Sequence, residues 1–281
     1  MTRPNENKRA YYGAVIVMIL FIAGPILWNI LISLTPEAEL MKPHSNLLPA
    51  SFDTINYVRL FNSTAREHTI MLNALTNSIL AAAATLALAL PITIAAGYAL
   101  ARYDFPGKQI VENLIFFTIV IPVSSTIIPI YAVYRELNLL DNLYWTAVIY
   151  TSSVIPFAVW ITTNYFKQLP KELWQAAALD GFTERQIFMR IILPLSHPAI
   201  ITTVLIIFLM TWQQFMVPSI LLASFDNRVI TMSLSSFMTK DTIQYTLIAA
   251  CGIIAIIPPA LLAVWFRKYL ISGLTAGSVK F

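Results

Sequence analysis

Six stretches of the chain are apolar and free of Asp, Glu, Lys, Arg and His: residues 11–34, 71–101, 113–134, 143–166, 199–223 and 244–266. Each reaches the roughly 20 residues that a helix needs to cross the hydrocarbon core of a bilayer. The pattern therefore predicts an all-α polytopic membrane protein with six transmembrane helices in a single domain, 1–281. Several carry proline in the interior: Pro91 in the second, Pro122 and Pro129 in the third, Pro156 in the fourth, Pro218 in the fifth, Pro258 and Pro259 in the sixth. Proline removes an amide donor and bends a helix, and inside a bundle neighbouring groups can satisfy the carbonyls it releases. Kinked, uncharged helices suit a pathway that opens and shuts.

The polar segments between these stretches differ in kind. Residues 35–70 form a long connection containing Pro43 and Pro49, with a short helix predicted at Thr54–Phe61 and Ser51 or Asp53 placed to cap it. Residues 135–142 allow only a tight turn. Ser224–Gln244 mixes Asp226, Asn227 and Arg228 with Met232, Leu234, Phe237 and Met238, a composition suited to touching another protein, although a loop resting on its own helix ends would look the same. Leu169–Pro198 is a charged island of two short helices.

Composition agrees with a membrane location. The chain is 58% hydrophobic and 11% charged, against about 25% charge in a soluble domain. Its net charge of +4 has no single-faced basic cluster, so it does not point to nucleic acid. The positive charges sort by side instead. With the N-terminus in the cytoplasm, Arg3, Lys8, Arg9, Arg102, Lys108, Lys167, Lys171, Arg185, Arg190, Arg267, Lys268 and Lys280 fall inside, and Lys42, Arg59, Arg66, Arg135, Arg228 and Lys240 fall outside. Twelve against six obeys the positive-inside rule and returns the C-terminus to the cytoplasm. The first apolar run follows Arg3, Lys8 and Arg9 but continues to Leu34 without a small-residue cleavage site, and is read as a span. Cys251, the single cysteine, permits no intrachain disulfide and reads as a packing residue.

Local signals in the island are dense. Pro170 suits a first helical turn and Glu172 favours the positive end of the helix dipole. Asp180-Gly181 stops that helix, since glycine accepts the left-handed conformation of a helix C-terminus. Thr183 and Gln186 have capping-box spacing, which starts a second helix near Glu184. Pro194 predicts its end near Leu193. Ile187, Phe188, Ile191 and Ile192 share one face, and Glu184, Arg185 and Arg190 lie off it. The position between two spans and the lack of a second basic face argue against a DNA-reading helix-turn-helix. The pair could otherwise lie on the bilayer surface with Trp174 and Phe182 as anchors.

Taken together, LPKELWQAAALDGFTERQIFMRIILPLSHP resembles the EAA loop of ATP-binding-cassette (ABC) importer permeases, with Ala176, Ala177, Asp180, Gly181, Phe188, Leu193 and Pro194 matching as they stand. Gln175 replaces the motif's Glu, so an ion pair at that position gives way to an amide hydrogen bond. Gly97–Lys108 (GYALARYDFPGK) and Ser272–Phe281 (SGLTAGSVKF) are similar to carbohydrate-type permeases related to the maltose system, and Trp212-Gln213-Gln214 stands where that group often has W-N-[DE]. The resemblance covers nearly the whole chain. It implies a type I ABC importer permease fold in the cell (inner) membrane. Residues 169–194 would be the coupling loop that docks on a cytoplasmic ATPase, with Glu172, Gln175, Ala176, Ala177, Asp180, Gly181, Phe188, Leu193 and Pro194 as the coupling residues. It also implies a second permease subunit in a heterodimer, two ATP-binding subunits, an extracytoplasmic solute-binding protein touching Asp226, Asn227 and Arg228, and a sugar or sugar-derived cargo.

No G-x-x-x-x-G-K-[ST] occurs: Gly107-Lys108 is followed by Gln109. ATP and Mg therefore belong to a partner ATPase, and this chain is a transport subunit without a catalytic site, cofactor or metal of its own. The alternative is an ion-coupled secondary transporter of a small polar solute. Such proteins usually place carboxylates or histidines in their spans, and all six spans lack them, although Na⁺ can be bound by carbonyls of broken helices. An intramembrane enzyme is disfavoured because there is no HExxH or G-x-S-x-G, and His44, His68 and His197 lie outside the spans. A sugar-like cargo calls for neutral hydrogen-bonding groups and aromatic faces. The candidates are Ser124, Ser125 and Thr126, Ser152 and Ser153, and Trp212, Gln213 and Gln214, each of which could equally be a helix-packing residue.

Overall fold

The computed structural model describes residues 6–42, 48–238 and 243–275. Arg3, Pro43, His44, Lys240, Lys280 and the tail beyond residue 275 lie outside the described residues, as does the side chain of Ser124. The helices in chain order are α1 (Glu6–Ser33), α2 (Glu37–Leu40), α3 (Ile55–Phe61), α4 (Arg66–Arg102), α5 (Lys108–Val120), α6 (Val123–Glu136) and α7 (Leu143–Lys167). They are followed by α8 (Glu172–Leu179), α9 (Glu184–Ile187), α10 (Leu193–Leu195), α11 (His197–Trp212), α12 (Met216–Leu221), α13 (Ile230–Ser236) and α14 (Tyr245–Thr275). A π-turn, Phe188–Ile192, joins α9 to α10, and a 3₁₀ turn covers Phe225–Asn227. Among the described residues the structure is helical apart from one isolated bridge, Met238 to Ile243.

Four helices are long and apolar enough to cross a membrane, or up to six spans result if each of two bent pairs, 108–120 with 125–136 and 184–195 with 197–212, counts as one. The third and fifth apolar stretches are not the continuous helices expected from sequence. In the third, α5 and α6 are separated at Ile121-Pro122 and bent by 93°. Ile121 takes an extended ψ of 114° because the ring of Pro122 disfavours helical backbone in the residue before it.

The fifth stretch, 199–223, divides into α11 and α12. With 16 residues, α11 is about 24 Å long at 1.5 Å per residue, short of the roughly 30 Å hydrocarbon core. Pro218 explains the break: a continuous helix would press its ring against the carbonyl of Gln214 and leave that oxygen without a donor. The chain turns there instead, and the Thr231 hydroxyl donates to the Gln214 carbonyl at 2.6 Å. Pro91, Pro156, Pro258 and Pro259 lie within unbroken helices.

The chain forms two compact units. The first holds the described residues through Leu72 together with Ser233–Ile257. In it, the apolar window of α1 is wholly unburied. A helix apolar all round and unburied within its own chain has to be covered by lipid or by a neighbouring apolar helix. At its end, Ser33 is buried, paired with the Tyr57 hydroxyl at 2.8 Å, and its carbonyl accepts from Asn56 Nδ2. The N-cap of the short helix α3 is Thr54, not Asp53 or Ser51, and it makes no side-chain cap bond, but the Asp53 carboxylate one residue earlier accepts from the Ile55 N–H at 2.8 Å. Glu37 accepts from the Tyr245 and Thr246 amides at the start of α14, where a carboxylate suits the helix dipole.

The second unit contains Asn73–Met232 and the described residues from Pro258. Its centre is α7, along which α5, α11 and α12 pack. Ala89, Val154, Ala158 and Ile207 form one fully buried cluster. Near it, α4 and α7 meet at Gly97: a Cβ there would collide with the Thr162 side chain, so only glycine allows this approach. The Thr162 hydroxyl donates to the Thr93 carbonyl across the contact at 3.2 Å.

Candidate functional site

The island beyond the end of α7 forms as its sequence predicts, except at its two prolines: Pro170 lies just ahead of α8, whose N-cap is Lys171, and not in its first turn. Gly181 has φ +81°, and the Phe182 amide bonds the Ala177 carbonyl while the Gly181 amide bonds the Ala178 carbonyl. These are the two bonds of a Schellman stop. Thr183 and Gln186 form a reciprocal capping box. The larger departure is at Pro194. The helix does not end at Leu193 but runs on to Leu195, because the Leu193 amide reaches back five residues to the Phe188 carbonyl. The wider π spacing of Phe188–Ile192 accommodates a residue that has no N–H and whose ring would clash in a regular α-turn. The bend follows at Ser196, 74° between residues 184–195 and α11.

A hydrogen-bonded relay holds the island beneath α4. Trp174 Nε1 donates to the Tyr98 hydroxyl at 3.2 Å, Tyr98 donates to Glu184 Oε2 at 3.3 Å, and Arg102 Nη2 donates to Glu184 Oε1 at 2.7 Å. Around it pack Phe166, Ala177, Ile187 and Ile192, all buried, with Phe188 tilted against Tyr98 at 4.6 Å between ring centroids. Trp174 is thus a core residue and not a bilayer anchor. The relay was not read from the sequence, although Tyr98 and Arg102 have the four-residue spacing that puts two side chains on one helix face.

With Trp174 and Ala177 turned inward, α8 presents its other side to the surroundings. Glu172, Gln175, Ala176 and Asp180 are exposed, and Leu179 is 90% exposed. Gly181 and Pro194 are also exposed, whereas Phe188 and Leu193 are half-buried.

The polar candidates on the spans lie on segments that pack together, since α6, α7 and α12 share a buried cluster that includes Ile127, Tyr150 and Val217. Ser125, Ser152 and Gln213 are exposed, and Thr126, Ser153 and Gln214 are half-buried. The hydroxyls of Ser152 and Ser153 donate to the Ile149 carbonyl, and that of Thr126 to the Val123 carbonyl. Trp212 is buried and stacks on Phe208 at 5.2 Å.

At the opposite end of α7, the predicted tight turn occupies residues 137–142, and Asn142 caps α7 through the amides of Tyr144 and Trp145. Asp141 ties this turn to the segment after α12: its carboxylate accepts from the amides of Ala223 and Ser224 and from the Ser224 hydroxyl, at 2.9 to 3.0 Å. Burial opposes ionisation of Asp141, but these hydrogen bonds outweigh it and hold the carboxyl below the usual aspartate range. The amide of Asn227 donates to the Asp141 carbonyl at 2.7 Å, and Asn77 donates to the carbonyls of Asp226 and Arg228. Arg228 lies 3.9 Å over the ring of Phe225. Of these three residues, Asp226 is the exposed one. Among the described residues no group of His, Cys, Asp and Glu is placed to hold a metal.

Residues 89–275 match the family described as "Binding-protein-dependent transport system inner membrane component". The chain is similar to the arabinooligosaccharides transport system permease protein AraQ of Halalkalibacterium halodurans, 33% identical over 265 residues that cover 93% of each chain. It is also similar to the trehalose transport system permease protein SugB of Mycobacterium tuberculosis, 27% identical over 97% of this chain and 98% of that one. A chain of a bacterial ABC transporter involved in the import of the acidic polysaccharide alginate shares its fold, with a TM-score of 0.77 and 21% identity over 96% of this chain and 99% of the other.

Proposed function

The chain belongs to the family of binding-protein-dependent transport system inner membrane components, the membrane permeases of ABC importers, and from that premise we propose that it carries a sugar or a sugar-derived neutral solute into the cytoplasm. Similarity to permeases named for arabinooligosaccharides and trehalose supports the cargo class, as do polar but uncharged groups on α6, α7 and the α11–α12 break. The chain crosses the membrane six times with both termini in the cytoplasm, α5–α6 forming one crossing and α11 with α12 another. It pairs with a second permease and two ATPase subunits that bind ATP and Mg, and receives cargo from an extracytoplasmic binding protein at the turn around Asp226.

Coupling runs through Leu169–Pro194. The observation that carries this assignment is the division of α8 into two faces: Trp174 is fixed to α4 by the relay and Ala177 is buried in the cluster around it, while Gln175, Ala176, Leu179 and Asp180 are exposed. A helix held on one side and uncovered on the other can receive a push and pass it to the spans. Small Ala176 and Gly181 let a partner backbone approach.

The test is solute uptake into membrane vesicles containing the assembled importer. Uptake should require ATP and survive collapse of ion gradients, and Gly181→Leu, strained at φ +81°, should leave ATP hydrolysis running while uptake fails, or prevent assembly. Uptake driven by an ion gradient without ATP would overturn the reading. Normal uptake by the Gly181 variant would remove the coupling role from the island.

A further inference from the structure

Where α7 ends, a cleft of about 200 Å³ opens against α5. Its lining is graded along the helices. Glu112 and Lys167 stand at the helix ends, joined by Nζ to Oε1 at 2.9 Å. One turn deeper come Thr163 on α7 and Phe116 on α5, and Trp160 lies at the same depth or beyond, edge-on to Phe116 at 6.4 Å between centroids. A polar mouth and an aromatic floor in a membrane-spanning bundle have the profile of an amphiphile, head at the interface and chain in the hydrocarbon.

Thr163 supplies an independent sign of an occupant. The other threonines of α7, Thr146, Thr151 and Thr162, each donate to the carbonyl four residues back. Thr163 does not: its hydroxyl is buried, the residue is 6% exposed, and the oxygen has no partner. A buried hydroxyl left unpaired is destabilising, and this residue lines the cleft.

We propose that the cleft is a binding site for a phospholipid with a zwitterionic headgroup carrying a primary amine, of the phosphatidylethanolamine class. The ammonium would face Glu112, whose side chain is only 14% exposed, the phosphate would face Lys167, and an ester carbonyl would accept from Thr163. Charge selects this class. A purely anionic headgroup brings a second negative charge to Glu112, and a choline headgroup has no N–H to give a shielded carboxylate. The inference needs α7 to span the bilayer, and is independent of cargo, ATPase and the side on which α7 ends.

The experiment uses the intact importer. Lipid retained after detergent purification is identified by native mass spectrometry, and thermal stabilisation is measured on adding phosphatidylethanolamine, phosphatidylcholine or phosphatidylglycerol. Wild type should retain the ethanolamine lipid and gain most from it. Thr163→Val, which keeps the shape and removes the orphan hydroxyl, should be at least as stable in detergent alone while its affinity for that lipid falls about threefold to tenfold, as loss of one hydrogen bond implies. Glu112→Gln should abolish the preference for ethanolamine over choline. Equal stabilisation by all three lipids in wild type, or full ethanolamine preference in both variants, would overturn the proposal.

Discussion

The two regions that flank α7, whose ends are separated by 25 residues and so by about 37 Å, are each fastened by an acid, the Asp141 turn to the segment after α12 and the island to α4, but in different ways. At one end Asp141 holds backbone amides of Ala223 and Ser224. At the other Glu184 holds side chains, the Tyr98 hydroxyl and the Arg102 guanidinium. Amides are fixed to the trace of the chain, so the Asp141 end is stitched to the backbone and can shift only if the chain refolds locally. Side chains swing on rotatable bonds, so the Glu184 end can tilt while its contacts persist. The end read as the receiver of a mechanical push is the one fastened by adjustable links.

Three experiments sharpen or break that contrast. Trp174→Ala should have the largest effect: it empties a core position and removes the donor to Tyr98, costing about 3 kcal/mol or more. Limited proteolysis of the assembled importer should then cut within Leu169–Pro194 while the Asp141 turn stays resistant. Equal resistance at both ends would show that the relay does not hold the island.

Asp141→Asn should come next. Asparagine tolerates the φ of +56° at this position, so the variant tests charge and not backbone strain. Loss of the charge-assisted bonds should lower stability by about 1 kcal/mol, at the low end because water reaches this partly buried site. The pH dependence has a definite sign. A carboxyl whose pKa is depressed on folding gives its full stabilisation above the ordinary aspartate value of about 3.9 and loses it as pH falls through the lower folded value. The gap in thermal stability between wild type and variant should therefore be full at neutral pH and shrink below about pH 4, and a gap unchanged at acid pH would refute the charge explanation.

The smallest effect belongs to Arg102–Glu184. Those side chains are 33% and 46% exposed, and screened pairs contribute about 1 kcal/mol or less. A double-mutant cycle of Arg102→Gln and Glu184→Gln should return a coupling energy in that range, with ATP-driven uptake reduced more than stability. A coupling of several kcal/mol would mean the link is rigid and would erase the difference between the two ends.

What the sequence disclosed tracks how local each determinant is. Gly181, Thr183 and Gln186 act within a few residues, and the stop of the island's first helix and its capping box follow from them. The 137–142 turn is of the same kind. Determinants shared by distant segments were not legible. Tyr98 and Glu184 are joined across 86 positions, and nothing in either neighbourhood announces the other. The fifth stretch was misjudged for a related reason: apolar composition indicates solvent, whereas helix continuity depends on whether the carbonyl released by Pro218 finds another donor, and that donor, Thr231, lies beyond the stretch. Pro194 misled in the opposite direction, because a π-turn upstream absorbed the defect that normally ends a helix.

The contact between Gly97 and Thr162 has a consequence for how relatives of this chain can diverge. Any side chain at position 97 occupies the space of the Thr162 hydroxyl, and a small residue at position 162 surrenders the bond to the Thr93 carbonyl. Neither site can change first without a penalty, so the two are expected to vary as a pair along a lineage or to stay frozen together. Their joint history would date the moment at which these two spans acquired their spacing.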